Sequence, residues 1–158
     1  MADGELSAEL AEAKKAYRTA YTNWAADPGN FALKEVKLSA DLAVKEIEFK
    51  IKEAEVKALV AQGKGEDDAQ VKEAKAAMLR ADLAVKEIKY EICAAKVEAL
   101  MAQGKGEDDA QVKMANKALD DAREERSKAS ARLDEFTKTA AVPQGTASLL
   151  SPLSLILS

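Results

Sequence analysis

The chain has 158 residues, long enough for one domain with a substantial core. Charged residues make up 33% and hydrophobic ones 47%, with Ala, Glu, Lys and Leu prominent, which points to an all-helical bundle or coiled coil. The 24 basic and 28 acidic residues are well mixed, at a net charge of -4, and leave no basic stripe for nucleic acid or for a cationic membrane-surface helix.

A first helix is predicted to start near Ser7, a good N-cap, and to run to about Ala26. Its apolar seam is Leu6, Leu10, Ala13, Tyr17, Ala20 and Trp24, with Tyr21 alongside. That spacing assigns the aromatic residues to the core rather than to a ligand box. Asp27-Pro28-Gly29-Asn30 stops this helix, and Asn30 can cap the next.

A second helix is predicted from about Phe31 to Gln62, about 48 Å long. After Gly63-Lys64-Gly65, Glu66-Asp67-Asp68 opens a third helix that reaches about Gln103. The same loop recurs as Gly104-Lys105-Gly106, and Glu107-Asp108-Asp109 opens a fourth helix lasting to about Ala140. Loops this short make sequential helices antiparallel neighbours. The expected fold is all-α: an elongated antiparallel up-and-down helical bundle of three long helices plus one shorter N-terminal helix, with coiled-coil-like packing.

The chain repeats itself. Ala-Asp-Leu-Ala-Val-Lys-Glu-Ile begins at Ala40 and again at Ala81, and Gln-Gly-Lys-Gly-Glu-Asp-Asp-Ala-Gln-Val-Lys begins at Gln62 and again at Gln103. Residues 40–80 and 81–121 agree at about two-thirds of their positions, a period typical of stacked helical units. Residues 1–140 thus read as a single helical domain with an internal repeat, and residues 141–158 as an apolar tail rich in Ser and Leu and containing Pro152. Each repeat is one helix and one loop, so the copies should run in opposite directions. An approximate two-fold axis and loops at opposite poles are then expected.

The middle helices carry two apolar stripes each. On the second helix the broad stripe includes Val36, Ala40, Val44, Ile47, Ile51, Ala54 and Ala58; the narrow one is Leu38, Leu42, Phe49 and Val56. On the third, Ala81, Ala84, Val85, Ile88, Ile92, Ala95 and Ala99 lie opposite Leu79, Leu83, Tyr90 and Val97. A helix apolar on two sides must be covered on two sides, by its neighbours or by a partner.

Motifs for chemistry are sparse. The chain has no histidine, which removes the commonest general base, the Ser-His and Cys-His pairs, and di-iron sites built on Glu-x-x-His. Gly-Lys-Gly-Glu-Asp-Asp lacks the spacing of a P-loop and the alternating ligands of an EF-hand. Its glycines suit the left-handed position after a helix, and its Asp residues suit an N-cap. Cys93 replaces Lys52 of the first copy and is read as a partly buried thiol. With no cofactor, no metal and no catalytic residues expected, the chain is read as a non-enzyme.

The N-terminal segment lacks the basic and apolar regions of a signal peptide, and no stretch of 18 apolar residues occurs, so a cytoplasmic protein without a transmembrane segment is expected. The tail is unusually apolar, with Leu149, Leu150, Leu153, Leu155, Ile156 and Leu157. The expectation is a structural, scaffold or protein-interaction protein, a homo-oligomer or a bridge between protein partners. Leu38, Leu42, Phe49, Val56, Leu79, Leu83, Tyr90, Val97, Leu153, Leu155 and Leu157 are the candidate partner-binding residues, with peripheral lipid contact through the tail. A helical module for a lipid or other hydrophobic small molecule is the alternative.

Overall fold

Helix punctuation decides the course of this chain. A computed structural model describes residues 2–140, which form four helices: α1 (Ala2–Ala26), α2 (Phe31–Ala61), α3 (Ala69–Ala102) and α4 (Ala110–Ala140). No strand occurs among the described residues. The apolar tail lies outside them.

Helix α1 begins five residues before Ser7. Gly4 costs about 1 kcal/mol in a helix interior, but Glu5 lies near the start, where the positive end of the helix favours an acidic residue. At the other end α1 stops at Asp27-Pro28-Gly29, and the Asn30 carboxamide oxygen accepts from the backbone N–H of Ala32 and Leu33 at 2.9 and 3.2 Å. This is the cap that the sequence predicts for α2.

The two repeat loops close through the same backbone hydrogen bonds. Gly63 and Gly104 take φ of 87° and 85°, the left-handed region. Gly63 N–H donates to the Val60 carbonyl and Lys64 N–H to the Leu59 carbonyl, at 2.9 and 3.3 Å; Gly104 and Lys105 do the same with Met101 and Leu100 at the same distances. This paired closure satisfies the orphan carbonyls at the end of the helix and needs a residue without Cβ strain at φ above zero. Asp68 then caps α3 through Gln70 N–H at 2.8 Å, and Asp109 caps α4 through Gln111 N–H at 2.7 Å. The acidic residues before each cap belong to the turn, so α3 and α4 begin at Ala69 and Ala110 rather than at Glu66 and Glu107.

Packing runs only between chain neighbours. Among the described residues α1 packs on α2, α2 on α3 and α3 on α4, and α4 does not return to α1. The bundle is therefore serial and open, with α2 and α3 each covered on two sides. Lys34, near the start of α2, pairs with Glu98, near the end of α3, at 3.0 Å. Arg132, late in α4, reaches Asp82, early in α3, at 3.2 Å.

The stripes divide the work. Val36, Val44 and Ile51 of the broad stripe line clefts shared with α1. Tyr90, of the narrow stripe of α3, lies under the guanidinium of Arg126 in α4, 4.2 Å from the ring centroid. Between the two middle helices, narrow-stripe Leu42 shares a cleft with broad-stripe Ile92. Each helix thus shows its broad side to the helix before it and its narrow side to the helix after.

The loop geometry predicts a contrast between glycines one turn apart. Gly63→Ala and Gly104→Ala should each lower unfolding free energy by about 1 kcal/mol in urea titrations, because alanine is strained at positive φ. Gly65→Ala and Gly106→Ala, in open space without positive φ, should be neutral or slightly stabilising.

Candidate interaction groove

The serial packing fixes where the predicted partner-binding residues lie. Leu38 and Val56 are buried, at 4% and 9% exposure. Leu42, Phe49, Leu79, Leu83, Tyr90 and Val97 are half-buried. The narrow stripe is therefore engaged in packing within the chain, each copy against the next helix. Leu153, Leu155 and Leu157 lie outside the described residues.

A different surface is left open. Where α2 and α4 both lean on α3, they form the walls of a trough whose floor is α3. At one end is a cleft of 410 Å³, floored by Ala95, Ala99 and Leu100 and walled by Phe31 and Glu35 of α2 and by Gln111, Met114 and Ala115 of α4. Alanine keeps the floor deep, because a small side chain leaves space between flanking helices. Phe31 and Met114 stand at the mouth, 40% and 75% exposed, and present apolar area to solvent. Further along the same three helices lies a second cleft of 470 Å³, bounded by Leu42, Ile92 and Ala122, with Cys93 in its lining.

Charge of both signs lines the clefts, on the floor helix α3 as well as on the walls. Glu35 and Lys96 border the first cleft, and Lys86, Lys89, Asp121 and Glu125 border the second. Lys86 is held by Asp82 at 3.1 Å, and Arg132 shares that carboxylate, so neither cation is free to act as a point charge toward a ligand.

The groove recurs, in altered form, one repeat earlier. Glu48, Ile51 and Lys52 line a cleft between Leu10 of α1 and Ala81 of α3. Their counterparts in the second copy are Lys89, Ile92 and Cys93, all of which line the cleft over α3. The same face of the repeated helix is concave both times. Over α2 a lysine lines it, and over α3 a thiol does.

That comparison supplies the signal that periodicity alone missed. Met114 occupies the repeat position of Glu73, and Cys93 that of Lys52. Both are charged-to-apolar departures from the first copy, and both fall on the groove over α3. Among the described residues no three or more His, Cys, Asp or Glu side chains converge, and no helix is long and apolar enough to cross a membrane.

The aromatic seam of α1 differs from expectation. Ala20 is buried, but Tyr17 and Trp24 are half-buried and Tyr21 is 46% exposed, because α1 is covered by α2 alone. The rings form a tilted ladder, with centroids 6.1 Å apart for Tyr17–Tyr21 and 5.7 Å for Tyr21–Trp24. The Lys37 ammonium closes its end, 3.9 Å from the Trp24 ring. That is a cation–π contact across the α1–α2 joint.

No protein-family model, curated protein or solved structure matches the chain. The functional reading therefore rests on the groove and on the residues around it.

Burial, then the Asp41 carboxylate and Tyr21, hold the Tyr17 phenol above the ordinary value of 10.0. Since the folded-state pKa is the higher one, the stabilising contribution is complete below the unfolded value and is lost as pH rises through the folded value. An ultraviolet difference titration between the parent and Tyr17→Phe should show a phenolate transition centred above pH 10.0. Asp41→Asn should move that transition down without restoring the ordinary value, because burial is the larger cause.

Proposed function

We propose that this chain is a non-enzymatic protein-interaction module that holds an apolar segment of polypeptide in the groove over α3. The carrying observation is the placement of Phe31, Met114, Ala99 and Leu100 around one open, apolar trough in an otherwise charged molecule. A trough with a helix for a floor and helices for walls suits a long, narrow occupant.

The reading includes an antiparallel up-and-down course with coiled-coil-like packing. The pairs Lys34–Glu98 and Arg132–Asp82 support it, since each joins residues toward opposite ends of their helices. It also favours interaction through the groove over edge-to-edge assembly. The outer helices α1 and α4 carry one apolar seam each and turn charged residues outward, as the terminal units of helical arrays do. The absence of histidine from the sequence supports the non-enzymatic part.

A hydrophobic small molecule or lipid is the second reading. The observation that favours it is cleft size: 410 and 470 Å³ fall within the range of about 300–1,000 Å³ typical of ligand sites.

Binding to a fluorescent Leu/Lys/Glu model peptide, with apolar residues at i, i+3, i+4 and i+7, separates these readings when followed by anisotropy. Cys93→Lys with Met114→Glu puts the first copy's residues back into the groove and should leave the melting temperature unchanged. It should weaken peptide binding at least tenfold, or about 1.4 kcal/mol. Glu9→Lys on the exposed flank of α1 should have no effect. Undiminished binding to the double variant would remove the groove from the reading. A chain that takes up an apolar dye but no peptide, with dye uptake lost in the double variant, would favour the small-molecule reading.

A further inference from the structure

The groove must be matched to an occupant, and the sequence offers one close at hand. Residues 141–158 contain no charged side chain, in a chain that is 33% charged overall, and concentrate Leu149, Leu150, Leu153, Leu155, Ile156 and Leu157 near the end. Such a segment gains by leaving water and has no charge to strand in doing so. Building on the reading of the groove as a polypeptide site, we propose that residues 149–157 are its occupant, folded back in cis along α3.

Three observations converge on this match. The first is reach. The described chain ends at Ala140 of α4, and Ala122, at the second cleft, lies about 27 Å back along that helix. Gln111, at the far cleft, lies about 44 Å back. An extended chain leaving Ala140 spans at most about 30 Å by Leu149 and about 56 Å by Leu157. Counted from Gly145, where the chain can turn back, the reach is about 26 Å by Leu153 and about 40 Å by Leu157, so the Leu-rich end comes to the second cleft and runs toward the first.

The second observation is the means of reversal. Pro143-Gln144-Gly145 stands between the helix and the apolar stretch, and its residue types favour a turn over continued helix. Ser151-Pro152 lies farther on, inside the apolar stretch, where the fixed φ of proline also suits an extended course. The third is chemical fit. The second cleft carries both signs, Lys86 and Lys89 of α3 against Asp121 and Glu125 of α4. A charged partner helix would meet one like charge for every opposite one, whereas an uncharged segment meets no repulsion. In an extended conformation Leu153, Leu155 and Leu157 share one side, toward Ile92 and Cys93 at the second cleft and Ala95 and Ala99 at the first.

Cys93, the chain's single cysteine, lines the groove and reports directly on its occupancy. In the full-length protein, Leu150→Asp with Leu153→Asp should raise the rate of Cys93 labelling by a thiol reagent at least tenfold. Equal rates would overturn the proposal. Leu153→Cys supplies a second reading, because residue 153 lies eight residues past Gly145 and has a reach of about 26–29 Å against the 27 Å or so to the level of Cys93. Mild oxidation at low protein concentration should link it to Cys93 within one chain. Dimers linked between chains would mean that the tail docks in trans, and no link would mean that it docks elsewhere; either result overturns docking in cis.

The charged-tail variant should also bind the model peptide more tightly than the parent does, since the competitor is gone. Peptide binding that depends on Cys93 and Met114, together with Cys93 labelling indifferent to the tail, would leave the groove reading intact and remove this one. If the double groove variant leaves peptide binding unchanged, the groove reading itself fails.

Discussion

The structure depends on one constraint: the repeated helix is apolar on two sides and needs a neighbour on each. In water, neither the broad nor the narrow stripe can be left bare without losing the burial that holds helices together. A closed bundle would bury one wide face of every helix at a common axis. Two opposed stripes instead ask for helices on either side, and serial packing follows. Val36, Val44 and Ile51 look back toward α1, and Tyr90 looks forward to Arg126 of α4. The outer helices, with a single seam each, end the series.

Serial packing has an energetic consequence. A layer one helix thick has little interior, and its buried apolar residues are small: alanines and valines, with Leu38 and Ile88 the largest. Val71 and Val112 are fully buried and are counterparts in the repeat, each one helical turn after a capping aspartate. The cap and the valine together anchor the start of α3 and of α4. Stability then comes from burial spread over three helix–helix seams rather than from one central core, with each cap adding about 1 kcal/mol. Exposed ion pairs such as Lys117–Asp121 add little to this, about 0–1 kcal/mol each. The grooves follow from the same geometry, since a middle helix flanked on two sides leaves a trough wherever its remaining face is short of side-chain volume.

Much of this fold was legible in the sequence, because the deciding residues act locally. Pro28 and Gly29 end α1, Asn30 caps α2, and Gly63 and Gly104 close the repeat loops without reference to tertiary context. The two stripes were legible as periodicity. What periodicity does not carry is direction: it shows that Leu42 and Phe49 share a face, but not whether a neighbour or a partner covers that face. Their half-burial within the chain depends on how α3 sits, which is a property of the assembled layer. The aromatic seam shows the same limit. Tyr17, Tyr21 and Trp24 have the spacing of a core, yet a terminal helix has a cover on one side only, and Tyr21 remains exposed.

The groove was written in the sequence in another way, as disagreement between the copies. Where packing constrains the repeat, the copies agree: Leu42 and Leu83, Val44 and Val85, Ile51 and Ile92. Exposed positions drift, and Lys50, Glu55 and Lys57 become Glu91, Lys96 and Glu98 with reversed sign, since water solvates either charge. The changes from charge to apolar character are of a third kind, because they give up solvation where drift would have kept it. Lys52 becomes Cys93, Glu53 becomes Ala94 and Glu73 becomes Met114. Ala94 is half-buried and lines neither cleft over α3, so packing accounts for it. Met114 is exposed and has no such account within the chain. An exposed methionine in place of a glutamate, beside a trough that also traded a lysine for a thiol, is the sequence change on which the proposal of an apolar occupant rests.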